Sequence, residues 1–181
     1  MKPWQKKAAA GATAAVIAAS LVGAMEGTRY VPYRDVGGVA TVCQGVIRGI
    51  DLHHTYTPDE CAALDQRERN IAMQVVAHTI RHPVTEPQKA AATDFIYNEG
   101  AGTWDRSSML RDFNRGDTKK ACRDFLLYVC VRVPKGKGNA TGPCWTSDHH
   151  MIFVNGLNVR RHEEYDLCVG KYNAPGVPAL K

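Results

Sequence analysis

Apolar residues recur at helical spacing between residues 57 and 131 and predict four consecutive helices. Thr57 and Thr85 each stand before a Pro-containing turn and three residues ahead of Glu60 or Gln88, which is the capping-box arrangement that begins a helix. The predicted helices cover about 57–80, 85–99, 107–114 and 118–131. The apolar side of the first is predicted to include Ala62, Ala63, Ile71, Val75 and Ala77.

The remaining pattern predicts strands before these helices and another helix after them. Residues 30–42 alternate between apolar and polar positions and contain the turn-forming pair Gly37-Gly38, so one or two short strands are expected. Residues 134–143 are rich in Gly and Lys and predict a loop, while 149–168 return to helical spacing and 170–181 form a tail. The fold class is therefore α+β, with a small β-containing N-terminal lobe and a larger helical C-terminal lobe.

An uncharged run from Ala8 to Met25 precedes the β-containing lobe and follows three lysines. As a helix it would be roughly 27 Å long, just enough to cross the hydrocarbon core of a bilayer. A cleaved export signal, a permanent anchor and an uncleaved anchor weak enough to leave the membrane all fit this composition. Cleavage after Ala24 would place Glu26 on a frayed end, so a catalytic role for Glu26 favours an uncleaved apolar helix over residues 1–25, followed by a domain over 26–181.

Length and charge restrict the class of protein. The 181 residues suffice for one domain with a core, and 44% apolar with 23% charged residues is ordinary for a globular protein. The net charge of +5 fits an anionic partner such as nucleic acid, a membrane surface or a cell-wall polymer. No zinc-finger spacing, helix-turn-helix signature or basic run interleaved with aromatics is present, so no nucleic-acid partner is expected, and we expect a monomer.

Six cysteines indicate disulfide bonds. None forms a Cys-x-x-Cys pair, which argues against a zinc ribbon, and an even number beside an export signal is typical of an oxidising compartment. Cys43 and Cys61 flank one short loop region and are predicted to pair, which leaves the other four to pair within the C-terminal half. Reduced, buried cysteines are the alternative.

Glu26, Asp35 and Thr41 form a candidate acid/base site because a hairpin would bring them together. A glycosidase needs one protonated carboxylic acid for the leaving oxygen and a second group that directs water or attacks at the anomeric carbon. Glu26 follows an apolar run, where partial desolvation favours its protonated form, and Asp35 lies in a polar turn. On spacing alone, a helix cap, a turn residue and a strand residue are the more common use of such a set.

Other candidate chemistries are weaker. His78 and His82 are one helical turn apart and could share a metal, but no third ligand is indicated, so solvated or capping histidines and no metal are expected. No Gly-x-Ser-x-Gly turn and no phosphate-binding loop occurs. The segment 156–168 carries adjacent Arg160 and Arg161, of which one could contact a substrate while the other pairs with Glu164; a purely salt-bridged helix is the alternative.

Four motifs in order resemble the phage-type lysozymes, the muramidases of bacteriophage endolysins, over about residues 24–170. They are Glu26-x8-Asp35-x5-Thr41, Tyr56-Thr57-x-x-Glu60-Cys61, Phe95-x-Tyr97-Asn98-x-Gly100 and Gly156-Leu157-x-x-Arg160-Arg161-x-x-Glu164. The resemblance implies a lysozyme-like fold and cleavage of the β-1,4 bond between N-acetylmuramic acid and N-acetylglucosamine in peptidoglycan. It implies Glu26 as general acid, Asp35 with Thr41 orienting water with inversion, Asn98 and Arg160 as substrate contacts, and no cofactor.

The N-terminus resembles that of the signal-arrest-release (SAR) endolysins. The resemblance implies an exported, uncleaved anchor over residues 8–25 in the bacterial inner membrane, followed by release into the host periplasm. Some members are held inactive by a cysteine in the anchor, but no cysteine occurs before Cys43 here, which favours control by membrane topology. The segment 46–48 departs from the His-Thr-Gly-like sequence of many relatives and is expected to alter the cleft wall. A lytic transglycosylase and a non-catalytic, anchored wall-binding protein are the rival interpretations.

Overall fold

The computed structural model describes residues 27–35 and 37–171. The apolar helix predicted over residues 1–25, and Glu26 itself, lie outside the described residues. In chain order the elements are β1 (Arg29–Arg34), β2 (Ala40–Cys43), α1 (Pro58–Thr79), α2 (Glu86–Glu99), α3 (Ala101–Asp105), α4 (Ser108–Asn114), α5 (Thr118–Asp124), a 3₁₀ turn (Phe125–Leu127), β3 (Cys130–Arg132), β4 (Met151–Phe153) and α6 (Asn155–Cys168).

The N-terminal lobe is built on the antiparallel hairpin of β1 and β2, as predicted. Tyr33 pairs with Thr41, and Gly38 takes a φ of 80° in the connecting turn, a conformation that favours glycine. A small apolar cluster beneath the hairpin is formed by Val42, Cys43, Val46 and Cys61. The hairpin is therefore fixed to the start of α1 through its last residues.

Helix α1 joins the two lobes. Both halves of the capping box at Thr57 and Glu60 are present, and its 22 residues give a length of about 33 Å. The predicted apolar side is only partly correct: Val75 packs against the core, but Ala62, Ala63 and Ala77 are exposed. The buried residues are Cys61, Asp65, Glu68, Ala72 and Val76. Two of these are acidic because the first half of the buried face packs beneath the hairpin and cleft, where polar partners are available.

The helical lobe surrounds α2, whose residues from Ala90 to Ile96 are all buried. The aromatic core is formed by Phe95, Trp104, Phe113 and Phe125, each fully buried. Trp104 comes from α3, a five-residue helix that was not predicted, and its indole Nε1 donates a hydrogen bond to Thr79 Oγ1 at 2.9 Å. This bond ties the end of α1 to the core of the larger lobe.

A second hairpin replaces the end of the fourth predicted helix. Helix α5 ends at Asp124, and β3 pairs antiparallel with β4, with Val131 opposite Ile152. The prediction of helix over 118–131 is therefore wrong beyond the 3₁₀ turn, and the prediction of helix from 149 is wrong until Asn155. The physical reason is that Val129, Val131 and Val133 alternate with other residues, and β-branched side chains at this period favour a strand once a partner strand is present.

Three disulfides are present among the described residues. The predicted Cys43–Cys61 bond is confirmed and attaches β2 to α1. The other two, Cys122–Cys168 and Cys130–Cys144, lie in the C-terminal half as predicted. Cys122–Cys168 joins α5 to α6 across 46 residues, so the chain-entropy relation gives it a stabilisation of about 4 kcal/mol.

The predicted α+β class and the division into a small β-containing lobe and a larger helical lobe are confirmed, with the addition of a second sheet in the helical lobe. Across residues 27–35 and 37–171, none of the helices combines the length and the apolar character needed to span a membrane.

Candidate active site

A cleft of about 720 Å³ lies between the β1–β2 hairpin and the C-terminal end of α2. The hairpin wall carries Tyr33, Asp35, Val39 and Thr41, and the opposite wall carries Tyr97, Asn98, Glu99 and Gly100. Residues 46–48 also line it, in agreement with the expectation that this segment forms part of the cleft wall. Two of the three proposed catalytic residues and one of the two proposed substrate contacts therefore meet in one cavity.

The hairpin presents one face to the cleft because side chains two residues apart in a strand point the same way. Tyr33 and Asp35 follow this period on one side, and Val39 and Thr41 follow it on the other. The Arg29 guanidinium lies 4.4 Å from the centre of the Tyr33 ring and holds it by a cation–π contact.

The turn of the hairpin fixes the orientation of the Asp35 carboxylate. Its Oδ1 accepts hydrogen bonds from the backbone N–H groups of Gly37 at 2.9 Å and Val39 at 2.8 Å. Its Oδ2 accepts no hydrogen bond from the part of the chain that the structure describes. One carboxylate oxygen is therefore committed to the turn, and the second remains available to a group in the cleft.

Thr41 is available to the cleft as an acceptor. Its residue is only 3% exposed, and its hydroxyl donates a hydrogen bond to the Val39 carbonyl at 3.0 Å. A hydroxyl has one proton to donate and two lone pairs that accept. Because the proton is used within the hairpin, a water molecule beside Thr41 would donate to the hydroxyl oxygen.

Glu26 lies outside the described residues, but its neighbour in the chain is described. Gly27 lines the cleft, and consecutive Cα atoms are about 3.8 Å apart. The chain therefore reaches the edge of the cavity one residue after the proposed general acid.

Asn98 and Glu99 belong to the last turn of α2 and face the hairpin across the cleft. Asn98 Oδ1 accepts a hydrogen bond from Arg161 Nη2 at 2.6 Å. Burial raises the pKa of the Glu99 carboxyl above its ordinary value, although Arg161 and Arg160 oppose the shift. This wall combines a neutral amide with a partly desolvated carboxyl.

Arg160 is not among the residues that line the cleft. Its guanidinium is buried and makes two hydrogen bonds to Asp94, from Nε at 2.8 Å and from Nη2 at 2.9 Å. Both Arg160 and Arg161 lie within 4 Å of a Glu164 carboxyl oxygen, as in the alternative of a salt-bridged helix. Direct substrate contact by Arg160 stays a prediction.

A hydrogen-bonded junction behind the cleft was not predicted from the sequence. The Tyr97 hydroxyl lies 2.8 Å from the Gln44 carbonyl oxygen and 3.0 Å from Asp65 Oδ1, so it joins α2 to both the hairpin and α1. Burial raises the pKa of Asp65, while the Tyr97 hydrogen bond opposes the shift. The signal in the sequence was Asp65, a polar residue in line with Cys61 and Ala72 on the helix face.

A second missed group is the ion pair in the cleft wall. The side chain of Glu68 is only 9% exposed, and it forms ion pairs with Arg48 and Arg67, each at 2.9 Å. Arg48 and Glu68 both line the cleft. The pair closes the side of the cavity where residues 46–48 approach α1.

The family model described as phage lysozyme matches residues 23–164. The chain belongs to the phage lysozyme family. Similar relatives include the SAR-endolysin of bacteriophage PS119, 34% identical over 80% of this chain and 77% of its own length, and that of Pseudomonas phage phiKMV, 30% identical over 86% and 89%.

Solved structures confirm the predicted lysozyme-like fold. The endolysin from Escherichia coli O157:H7 phage FAHEc1 is similar with a TM-score of 0.69 at 19% identity, over 86% of this chain and 92% of that one. The muramidase domain of SpmX from Asticaccaulis excentricus is similar with a TM-score of 0.68 at 18% identity, over 84% and 94%. This phage lysozyme is thus a glycoside hydrolase that degrades peptidoglycan.

Proposed function

We propose that this phage lysozyme is a muramidase that hydrolyses the β-1,4 bond between N-acetylmuramic acid and N-acetylglucosamine. Glu26 is the general acid, and Asp35 with Thr41 orients the attacking water. The observation that carries the proposal is that Asp35 and Thr41 line the same cleft. One Asp35 carboxylate oxygen accepts no hydrogen bond from the described residues, and the Thr41 hydroxyl oxygen can still accept one.

The roles of Glu26, Asp35 and Thr41 follow from which of these groups can donate and which can accept a proton. A water molecule that donates one hydrogen bond to Asp35 and one to Thr41 directs a lone pair away from both, toward the anomeric carbon of a bound glycan. As water attacks, the glycosidic bond breaks, Glu26 gives its proton to the departing oxygen, and Asp35 takes a proton from the water. Solvent exchange then restores both groups. Attack opposite the leaving group gives inversion at the anomeric carbon.

Product analysis tests the reaction. We expect peptidoglycan digested in ¹⁸O-labelled water to yield muramic acid with a free reducing end that carries the label, because hydrolysis places the oxygen of water on the anomeric carbon. Mass spectrometry of the products detects the label, and NMR spectra recorded early in the reaction identify the anomer that is released. Anhydro-muramic ends, lighter by one water molecule, would show a lytic transglycosylase. Binding to sacculi without any release of ends would show a non-catalytic wall-binding protein.

The proposed site of action is the host periplasm. The similar proteins from phages PS119 and phiKMV carry the name SAR-endolysin, and the family match begins at residue 23, just before the end of the apolar run. Residues 8–25 serve as an uncleaved anchor in the inner membrane, and the enzyme acts after the anchor leaves the bilayer. The run is rich in alanine, whose burial in lipid contributes little, so the anchor is weak enough for release.

The anchor proposal predicts the same intact chain in two places. We expect intact-mass spectrometry of the membrane and soluble fractions to give one mass, for a polypeptide that begins at residue 1. The physical reason is that residues 1–25 must persist if they are to hold Glu26 in a fixed position. A soluble form that begins at Met25 would show cleavage and reject the proposal.

A further inference from the structure

The side-chain amide of Asn98 is held in one orientation by a buried arginine. Arg161 Nη2 lies 2.6 Å from the Asn98 side-chain oxygen. A guanidinium only donates hydrogen bonds, so the amide group that faces it must be the oxygen. The NH₂ group of Asn98, on the other arm of the planar amide, therefore points away from Arg161.

Arg161 is itself firmly placed. The residue has no solvent exposure, and its guanidinium lies 4.9 Å from the centre of the Phe95 ring. Nη2 also lies 3.2 Å from Glu164 Oε1, and Nη1 lies 3.9 Å from Glu99 Oε1. A close-packed guanidinium with these neighbours has little freedom to rotate, so the amide that it holds is preorganised.

The consequence is a donor directed at whatever occupies the cleft. Asn98 lines the cavity, and no group in residues 27–35 or 37–171 accepts a hydrogen bond from its Nδ2. The part of Asn98 that remains available to a ligand is therefore its NH₂ group, which donates hydrogen bonds and does not accept them. An unmatched donor of this kind discriminates strongly between ligands that carry an acceptor and ligands that lack it.

We propose that Asn98 donates a hydrogen bond to the acetamido carbonyl oxygen of a bound sugar and that Arg161 is the positioning residue that fixes this direction. The inference rests on the proposed function, since it names the acetamido group as the part of the glycan that the muramidase recognises. The acetamido carbonyl is a pure acceptor, whereas sugar hydroxyls both donate and accept and so gain no selection from a donor-only group. The stem-peptide carboxylates are disfavoured because they would lie beside the Glu99 carboxyl.

The test compares wild-type protein with Asn98→Asp on two glycans, native sacculi and sacculi that have been chemically de-N-acetylated. Asp is nearly isosteric with Asn and keeps an oxygen toward Arg161, but it presents a second oxygen to the cleft in place of the NH₂ group. We expect kcat/KM on native sacculi to fall about 10-fold to 100-fold, the range for a hydrogen bond lost with the acceptor left unpaired. De-N-acetylated sacculi carry ammonium groups, which the added carboxylate can attract, so on them Asn98→Asp should lose less than about threefold relative to wild type.

The ratio of the two rates is the decisive readout, because it is independent of the fraction of protein that is folded. Arg161→Lys, which keeps a donor-only cation, should preserve the preference for native glycan, whereas Arg161→Met should reduce it. An Asn98→Asp protein that loses equal activity on both glycans, or keeps the wild-type preference, would overturn the inference while leaving the proposed function in place. A wild-type protein that cuts neither glycan would overturn the proposed function and this inference with it.

Discussion

We expect Glu26→Gln to release reducing ends from peptidoglycan at least about a hundredfold more slowly than the wild-type protein. The glycosidic oxygen is a poor leaving group unless a proton reaches it as the bond breaks, and an amide has no proton of suitable acidity to give. Gln matches Glu in size, so binding of the glycan should persist. The measurement is the rate of turbidity loss of outer-membrane-stripped cells, together with a count of reducing ends.

The matched control is Glu86→Gln, which makes the same chemical change at an exposed residue paired with Lys89 on the surface of α2. An exposed pair of this kind contributes little to stability, so the control should clear cells at the wild-type rate. Sedimentation with purified sacculi should show equal binding by both variants. Clearing by Glu26→Gln at the wild-type rate would remove Glu26 from the mechanism and leave Asp35 as the acid to be tested next.

Local signals in the sequence predicted the parts of the fold that depend on neighbouring residues. The capping boxes at Thr57 and Thr85 are local, and both helices begin where those residues predict. The alternation of residues 39–43 is also local and gave the correct strand. The Cys43–Cys61 bond was predictable because both residues flank one loop, whose closure needs no information from the rest of the chain.

Elements that depend on distant partners were not predictable in the same way. Strand β3 exists because β4, about 20 residues further along, pairs with it, and the same residues read alone fit the end of a helix. The buried face of α1 follows the same principle, since Asp65 is buried only because Tyr97 and the hairpin supply hydrogen bonds to it. A hydrophobicity pattern assigns such a residue to the solvent side.

Some parts of the candidate site were predictable from the sequence, and others were not. The hairpin that carries Asp35 and Thr41 could be placed from spacing, because the period of a strand determines which side chains share a face. The packing of Arg160 and Arg161 could not be predicted, because adjacent residues on a helix point in directions about 100° apart. Both guanidiniums nevertheless lie within 4 Å of the buried Glu164 carboxyl. Only the three-dimensional position of Asp94 and Glu164 explains this arrangement.

We expect Asp94→Asn to lower the free energy of unfolding by about 3–5 kcal/mol. Asp94 is fully buried and is the partner of the buried Arg160 guanidinium. Burial alone would raise the pKa of Asp94, but the attraction and hydrogen bonds of Arg160 outweigh it and hold the pKa below its ordinary value. An amide in this place removes the negative charge that faces the buried Arg160 guanidinium and leaves only one side-chain oxygen where two accept hydrogen bonds from it. Urea unfolding of the oxidised protein at neutral pH measures the loss.

The matched control is Glu164→Gln, an acid-to-amide change in the same buried cluster. Burial raises the pKa of Glu164 well above its ordinary value, although Arg161 opposes the shift. Gln therefore resembles the protonated form that the fold favours, so this variant should lower the free energy of unfolding by no more than about 1 kcal/mol. Equal losses in the two variants would show that the cluster requires both negative charges.

The two carboxyls should also respond to pH in opposite directions. A depressed pKa contributes stability that is present above the unfolded value and is lost as pH falls through the folded value, so acid should weaken the wild-type protein through Asp94. A raised pKa contributes stability that is present below the unfolded value and is lost as pH rises through the folded value, so Glu164 should weaken the wild-type protein toward neutral pH.

Accordingly, the stability of Asp94→Asn should fall less steeply in acid than that of the wild-type protein. The stability of Glu164→Gln should decline less than that of the wild-type protein as the pH rises above the unfolded pKa of a glutamate, about 4.3.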